Sequence, residues 1–238
     1  MFFPAALLAT PQTIYPTADT RITRGHHDRD DGWNGRLEVQ KFEGGHGKLK
    51  SIINFPLDTL TGANIASAQL AFRHVQAPNG FTPGDEHGVR RMLNTSWIEG
   101  NRKSDDLDCD PQHPGSGPGM TWHCFIAADI SADKATCPDS DVWLGAQVFF
   151  RDFFVPNISD IATWLGAQVG TSPGSKFVSS NFTDVKPLPN GTGWQNETVT
   201  FDVTADVRAA LAEGAAVAGW MVERSNPGTG RIWLASRE

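Results

Sequence analysis

Ile65-Ala-Ser-Ala-Gln-Leu-Ala-Phe-Arg-His-Val75 is the stretch that decides the fold class. Ala68, Leu70 and Phe72 alternate with Gln69, Ala71 and Arg73. A period of two puts the apolar side chains on one face of a β-strand. Similar short runs follow on either side, at residues 20–23, 36–42, 49–55, 88–93, 199–203, 217–223 and 231–236. Pro56 ends the third of these, and Ser225-Asn-Pro-Gly-Thr-Gly230 is a turn joining the last two. Many short strands separated by turns predict an all-β protein. One short helix is expected near the end. Thr204 is its candidate N-cap, Val207, Ala210 and Leu211 share a face, and Gly214 stops it.

The composition agrees. Gly 24 and Pro 15 in 238 residues are too much punctuation for a helical bundle, and too aperiodic for collagen. The length suits one large domain with a core of its own, and disulfides are not needed merely to fold. A net charge of -7 excludes nucleic acid as the default partner. The segments 101–119 and 167–193 are turn-rich. Between them Trp143-Leu-Gly-Ala-Gln-Val148 recurs as Trp164-Leu-Gly-Ala-Gln-Val169, a small duplication. The expected organisation is an N-terminal arm, 1–13, and a single domain, 14–238, interrupted by a loop-rich insertion over about 142–196.

The first ten residues are apolar but lack a basic start, and they are too short to span a bilayer. They read either as a first strand, as a trimmed signal remnant, or as an arm that packs into a neighbouring copy. In the last case Phe2, Phe3 and Leu7 make the contact, and Pro4 confines it to a sheet edge. Head-to-tail addition of that kind builds filaments. Three cysteines are present; Cys124 and Cys137 bracket a short polar loop and are the expected disulfide, leaving Cys109. N-x-S/T sequons occur at Asn94, Asn157, Asn181, Asn190 and Asn196. In a secreted eukaryotic chain they would carry glycans on exposed loops.

No nucleophile elbow, phosphate loop or dinucleotide fingerprint is present, and the histidines are scattered. The expectation is a non-catalytic protein. His26-His27 beside Asp28, Asp30 and Asp31 is the one dense cluster. It reads as a solvated loop, or as the start of a calcium site with Asp28 and Asp30 as hard oxygen ligands. Trp33, Trp143, Trp164 and Trp194 sit in loop-like contexts. They are the candidates for stacking on sugar rings, whose C–H faces pack on aromatic surfaces. Trp97, Trp122, Trp220 and Trp233 read as core.

Taken in order, several motifs resemble the DNRLRE domain family. They are Tyr15-Pro-Thr-Ala-Asp-Thr-Arg-Ile22, Asn34-Gly35 with Leu37-Glu-Val39, and Ser51-Ile-Ile-Asn-Phe-Pro-Leu57. Ala63-Asn-Ile-Ala-Ser-Ala-Gln-Leu70, Val89-Arg-Arg-Met-Leu93 and Trp97-Ile-Glu-Gly100 follow. Met120-Thr-Trp122 with the two cysteines, Phe201-Asp-Val-Thr204 and Ala235-Ser-Arg-Glu238 complete the set. Asn54 and Pro56 depart from the family pattern, and 142–196 has no counterpart. The resemblance implies an extracellular or cell-surface β-sandwich of jelly-roll type, structural, adhesive or carbohydrate-binding. It also implies that Asp19 and Asp202, which lie in its signatures, ligate a structural Ca²⁺ or tie strand ends. Its partners would be polysaccharide or further copies of the chain. The alternatives are a filament subunit assembled through the arm, and an accessory domain of a polysaccharide-degrading enzyme.

Overall fold

A computed structural model describes residues 11–23, 36–41, 48–60, 62–76, 85–101, 115–121, 124–130, 178–179, 181–188, 196–226 and 231–236. Among them the chain is all-β with one short α-helix. The strands are β1 (Ala18–Thr23), β2 (Arg36–Lys41), β3 (Lys48–Pro56), β4 (Gln69–Gln76) and β5 (Glu86–Arg91). They continue with β6 (Asp184–Pro187), β7 (Thr198–Asp202), β8 (Val217–Arg224) and β9 (Arg231–Ala235). The helix, α1, is Thr204–Ala212.

Every ladder is antiparallel, and the strand order is β6-β5-β8-β3-β2-β9-β4-β7, with β1 added on β3. The two ends of that order, β6 and β7, lie beside each other, so the sheet nearly closes. It closes around one core. Leu37, Val39, Ile53, Leu70, Phe72, Val89, Phe201, Trp220, Val222, Ile232 and Leu234 all point into it. Phe72 meets Phe201 edge-on at 6.2 Å, and Phe55 meets Trp220 at 5.9 Å. Such offset arrangements are preferred by ring quadrupoles.

The helix closes one end of this core with Val207 and Ala210. Its start differs from expectation. The Thr204 side chain makes no cap; its Oγ1 accepts from the Ala68 amide at 2.9 Å, while Asp202 Oδ1 accepts from the Thr204 amide at 2.9 Å. The stop is as expected: Gly214 has φ 71°, and the Gly214 and Ala215 amides donate back to Leu211 and Ala210. The strands also depart from expectation. β4 begins at Gln69 rather than residue 65, because Arg208 of α1 donates to the carbonyls of Ile65 and Ala66. β6 lies inside the segment expected to be a loop-rich insertion, and it pairs with β5 over four residues.

The opposite face of β3 and β8 carries a second apolar layer. Ile52 and Met221 pack there with Ile22, Met92, Trp97, Met120, Phe125 and Val178. Asn54 anchors this layer. Its Oδ1 accepts from Trp97 Nε1 at 3.1 Å, and its Nδ2 donates to the Thr95 carbonyl at 3.0 Å. Gly219 of β8 sits directly opposite Asn54, and a Cβ there would lie 2.2 Å from Asn54 Oδ1. Gly219→Ala therefore displaces the amide that holds Trp97. The expected cost is about 1–3 kcal/mol in urea denaturation, as for overpacking in a tight core, with the Trp97 emission shifting toward that of a solvated indole.

Candidate functional site

Alternation along β4 and β5 brings two imidazoles into the core. Leu70, Phe72 and His74 share one face of β4, and His87 and Val89 share one face of β5. His74 and His87 are 1% and 0% exposed, with ring centroids 5.4 Å apart. His87 also meets Phe201 of β7 edge-on at 5.3 Å. Neither ring nitrogen of His87 has a hydrogen-bond partner among the described residues. A buried imidazole in such surroundings is favoured neutral. Burial pushes His74 down to about 4; burial first, and then the neighbouring His74, push His87 down to about 3.

His87 is also flanked by cations across both of its ladders. Its partner on β8 is Arg224, and its partner on β6 is Lys186. Each cation is matched by a carboxylate. Arg224 is ion-paired with the buried Asp85 and donates to Asn226 Oδ1 at 3.2 Å; Lys186 meets Asp184 Oδ2 at 2.8 Å. The result is a row, Lys186, His87, Arg224, across β6, β5 and β8.

The join between β6 and β7 adjoins this row. Asp184 Oδ2 accepts from the Asp202 amide at 2.8 Å. Burial alone would raise the Asp184 carboxyl, but hydrogen bonds from Lys186 and the amides of Asp202 and Val185 hold it below its ordinary range. Asp206 of α1 accepts from Trp220 Nε1 at 2.8 Å and from Thr183 Oγ1 at 2.6 Å.

A different kind of surface lies on the outside of β4 and β7. Gln69, Ala71, Arg73 and Val75 are exposed on one strand, and Thr198, Thr200 and Asp202 on the other. They stand in register, Gln69 with Asp202, Ala71 with Thr200, and Arg73 with Thr198. At the strand rise this makes an exposed, largely polar face about 20 Å long. Beside β4, Trp233 of β9 carries the Arg36 guanidinium 3.9 Å above its ring.

Several of the residues expected to be functional fall elsewhere. Asp19 is buried on β1, its amide donating to Glu99 Oε1 at 3.1 Å. Asp202 is exposed on β7, and hydrogen bonds from Thr204 hold its carboxyl below the ordinary range. These two residues lie on separate strands, and no three His, Cys, Asp or Glu side chains gather for a metal ion among the described residues. Asn94 Oδ1 accepts from the Ser96 amide and hydroxyl, while Asn181 and Asn196 are exposed. Cys124 is buried and disulfide-bonded. Trp97 and Trp220 are core residues. Phe2, Phe3, Leu7, Asp28, Asp30, Trp33, Trp143, Trp164, Trp194, Cys137, Asn157 and Asn190 lie outside the described residues.

The charged row was not foreseen, yet it left a signal: His74 and His87 continue the apolar alternation of their strands. Compared with known proteins, the chain matches no family model and no curated protein. No described helix is long and apolar enough to cross a membrane.

The Asp85–Arg224 pair sets the cost of disturbing this row. Removing one member of a buried pair strands the other charge, a loss of about 3–5 kcal/mol. Asp85→Ala should lower stability by that order in urea denaturation, whereas the exposed Arg73→Ala should change it by less than about 0.5 kcal/mol.

Proposed function

We propose that this is a non-catalytic, extracellular or cell-surface β-sandwich module that binds a polysaccharide. The observation that carries the proposal is the exposed face of β4 and β7, on which amide, guanidinium, hydroxyl and carboxylate groups stand in register. Sugar hydroxyls both donate and accept, so an extended glycan matches a row of mixed donors and acceptors. The converging titratable groups support a non-catalytic role. His74, His87, Asp85 and Arg224 are all enclosed, where a substrate does not reach them. Cys124 in a disulfide supports an oxidising compartment. The order of the motifs that resemble DNRLRE domains supports the same reading, in which Ca²⁺ would serve as a structural ion or as a bridge to an acidic glycan.

The test is a glycan array with and without Ca²⁺, followed by calorimetry on the best ligand. Arg73→Ala combined with Thr200→Ala should weaken binding at least about tenfold, the loss of one to two net hydrogen bonds, with an unchanged melting midpoint. Absence of binding to any glycan in either condition, or binding indifferent to both substitutions, would overturn the proposal.

A further inference from the structure

Three observations meet at the join between β6 and β7. First, among the described residues each of these strands has a ladder on one side only, β6 with β5 and β7 with β4. Across the join, the described hydrogen bond runs to a side chain, from the Asp202 amide to Asp184, while the Thr183 hydroxyl, just before β6, donates to Asp206 of α1. Second, His87 packs edge-on against Phe201 of β7. The His74 backbone exchanges hydrogen bonds with Asn196 and Glu197, which lead into β7. Third, His87 stands between Lys186 and Arg224.

We propose that the β6–β7 join is an acid-operated release, in which proton uptake by His74 and His87 frees β7 while the β3–β8 part of the sheet keeps its pairing. The groups facing the two imidazoles decide the direction. β6 presents Lys186 and Asp184, β8 presents Arg224, and Asp85 precedes β5. β7 presents Phe201, with Glu197 exposed at its lead-in, and β9 presents Ile232 and Leu234. A proton on His87 places a third cation in a row whose two carboxylates are already engaged. A proton on His74 adds a fourth positive charge 5.4 Å away by ring centroids. Opening the join hydrates both rings, and water is the environment in which they accept protons readily.

The sign follows from linkage. Both histidines have closed-state values below 6.5, near 4 for His74 and near 3 for His87. The closed join is therefore at full strength above pH 6.5 and weakens as pH falls toward those values. Asp184 is held below 3.8, so its contribution persists until the pH falls beneath that value. The histidines act first. Between pH 7 and pH 4.5 the opening equilibrium rises roughly 60-fold for each imidazole exposed.

The experiment is hydrogen exchange with mass spectrometry on the full chain at pH 7 and pH 4.5, with labelling times scaled for the intrinsic rate. With both imidazoles exposed, peptides covering β6 and β7 should lose protection by more than about a thousandfold at pH 4.5, while those covering β3 and β8 keep theirs. His74→Leu with His87→Leu should abolish the difference. An NMR titration of the unmodified chain needs no variant: both imidazoles should remain neutral down to pH 5. The proposal is overturned by imidazoles that titrate near 6.5, by β6 and β7 peptides indifferent to pH, or by equal loss in every strand.

Discussion

A sheet that is apolar on its inner face must be closed off from water, and here the last join is made by side chains. Antiparallel ladders carry the frame from β6 round to β7, where Asp184 takes the Asp202 amide, and Asp206 of α1 takes the Thr183 hydroxyl beside the join. Asp206 has a second task. It is the acceptor for the Trp220 indole, so the residue that helps join the edges also satisfies a polar group at the edge of the core. A buried N–H left without a partner costs about 1–3 kcal/mol, which makes helix placement, indole position and sheet closure one problem. The helix stop at Gly214 and the amide of Thr204 on Asp202 fix α1 where Asp206 can act.

Charge is used on both faces of the sheet. Outside, Glu38 is ion-paired with Arg21, Arg36 and Arg231, and Glu223 with Lys50 and Arg90. Burial alone would raise the Glu223 carboxyl, but Lys50 and Arg90 keep it below its usual range. Inside, Asp85 holds Arg224. Such pairs contribute little net stability, but a shifted register would leave charges buried alone, so they act against mispairing. β3 and β8 are covered by the layer of Trp97, Met120 and Phe125, whereas β4 and β7 carry no such layer among the described residues.

Much of the frame was legible in the sequence, because alternation reports which side chains are inside. Leu70 and Phe72, Trp220 and Val222, Ile232 and Leu234 all point where a period of two places them. β6 was not legible. Asp184-Val-Lys-Pro187 is four residues long, holds one apolar strand former and ends in proline, so its assignment comes from β5 rather than from itself. The histidine pair was half legible. Period two puts His74 and His87 inside, but only tertiary pairing brings them within 5.4 Å and sets Lys186 and Arg224 beside one of them. Asp202 teaches the complementary lesson. A conspicuous carboxylate at a strand end read as a metal ligand or as a tie for strand ends, and its Oδ1 accepts from the first amide of the helix that follows.

A side chain closes the sheet at the β6–β7 join, where Asp184 takes the Asp202 amide. Residue-resolved hydrogen exchange by NMR at neutral pH tests it most directly, at the Asp202 amide and the Trp220 indole N–H. A closed sheet protects both, with the Asp202 amide exchanging far more slowly than that of an exposed edge strand. If both exchange at the rate of a solvated group while the β3–β8 amides stay protected, the sheet is open at that join and the account is wrong.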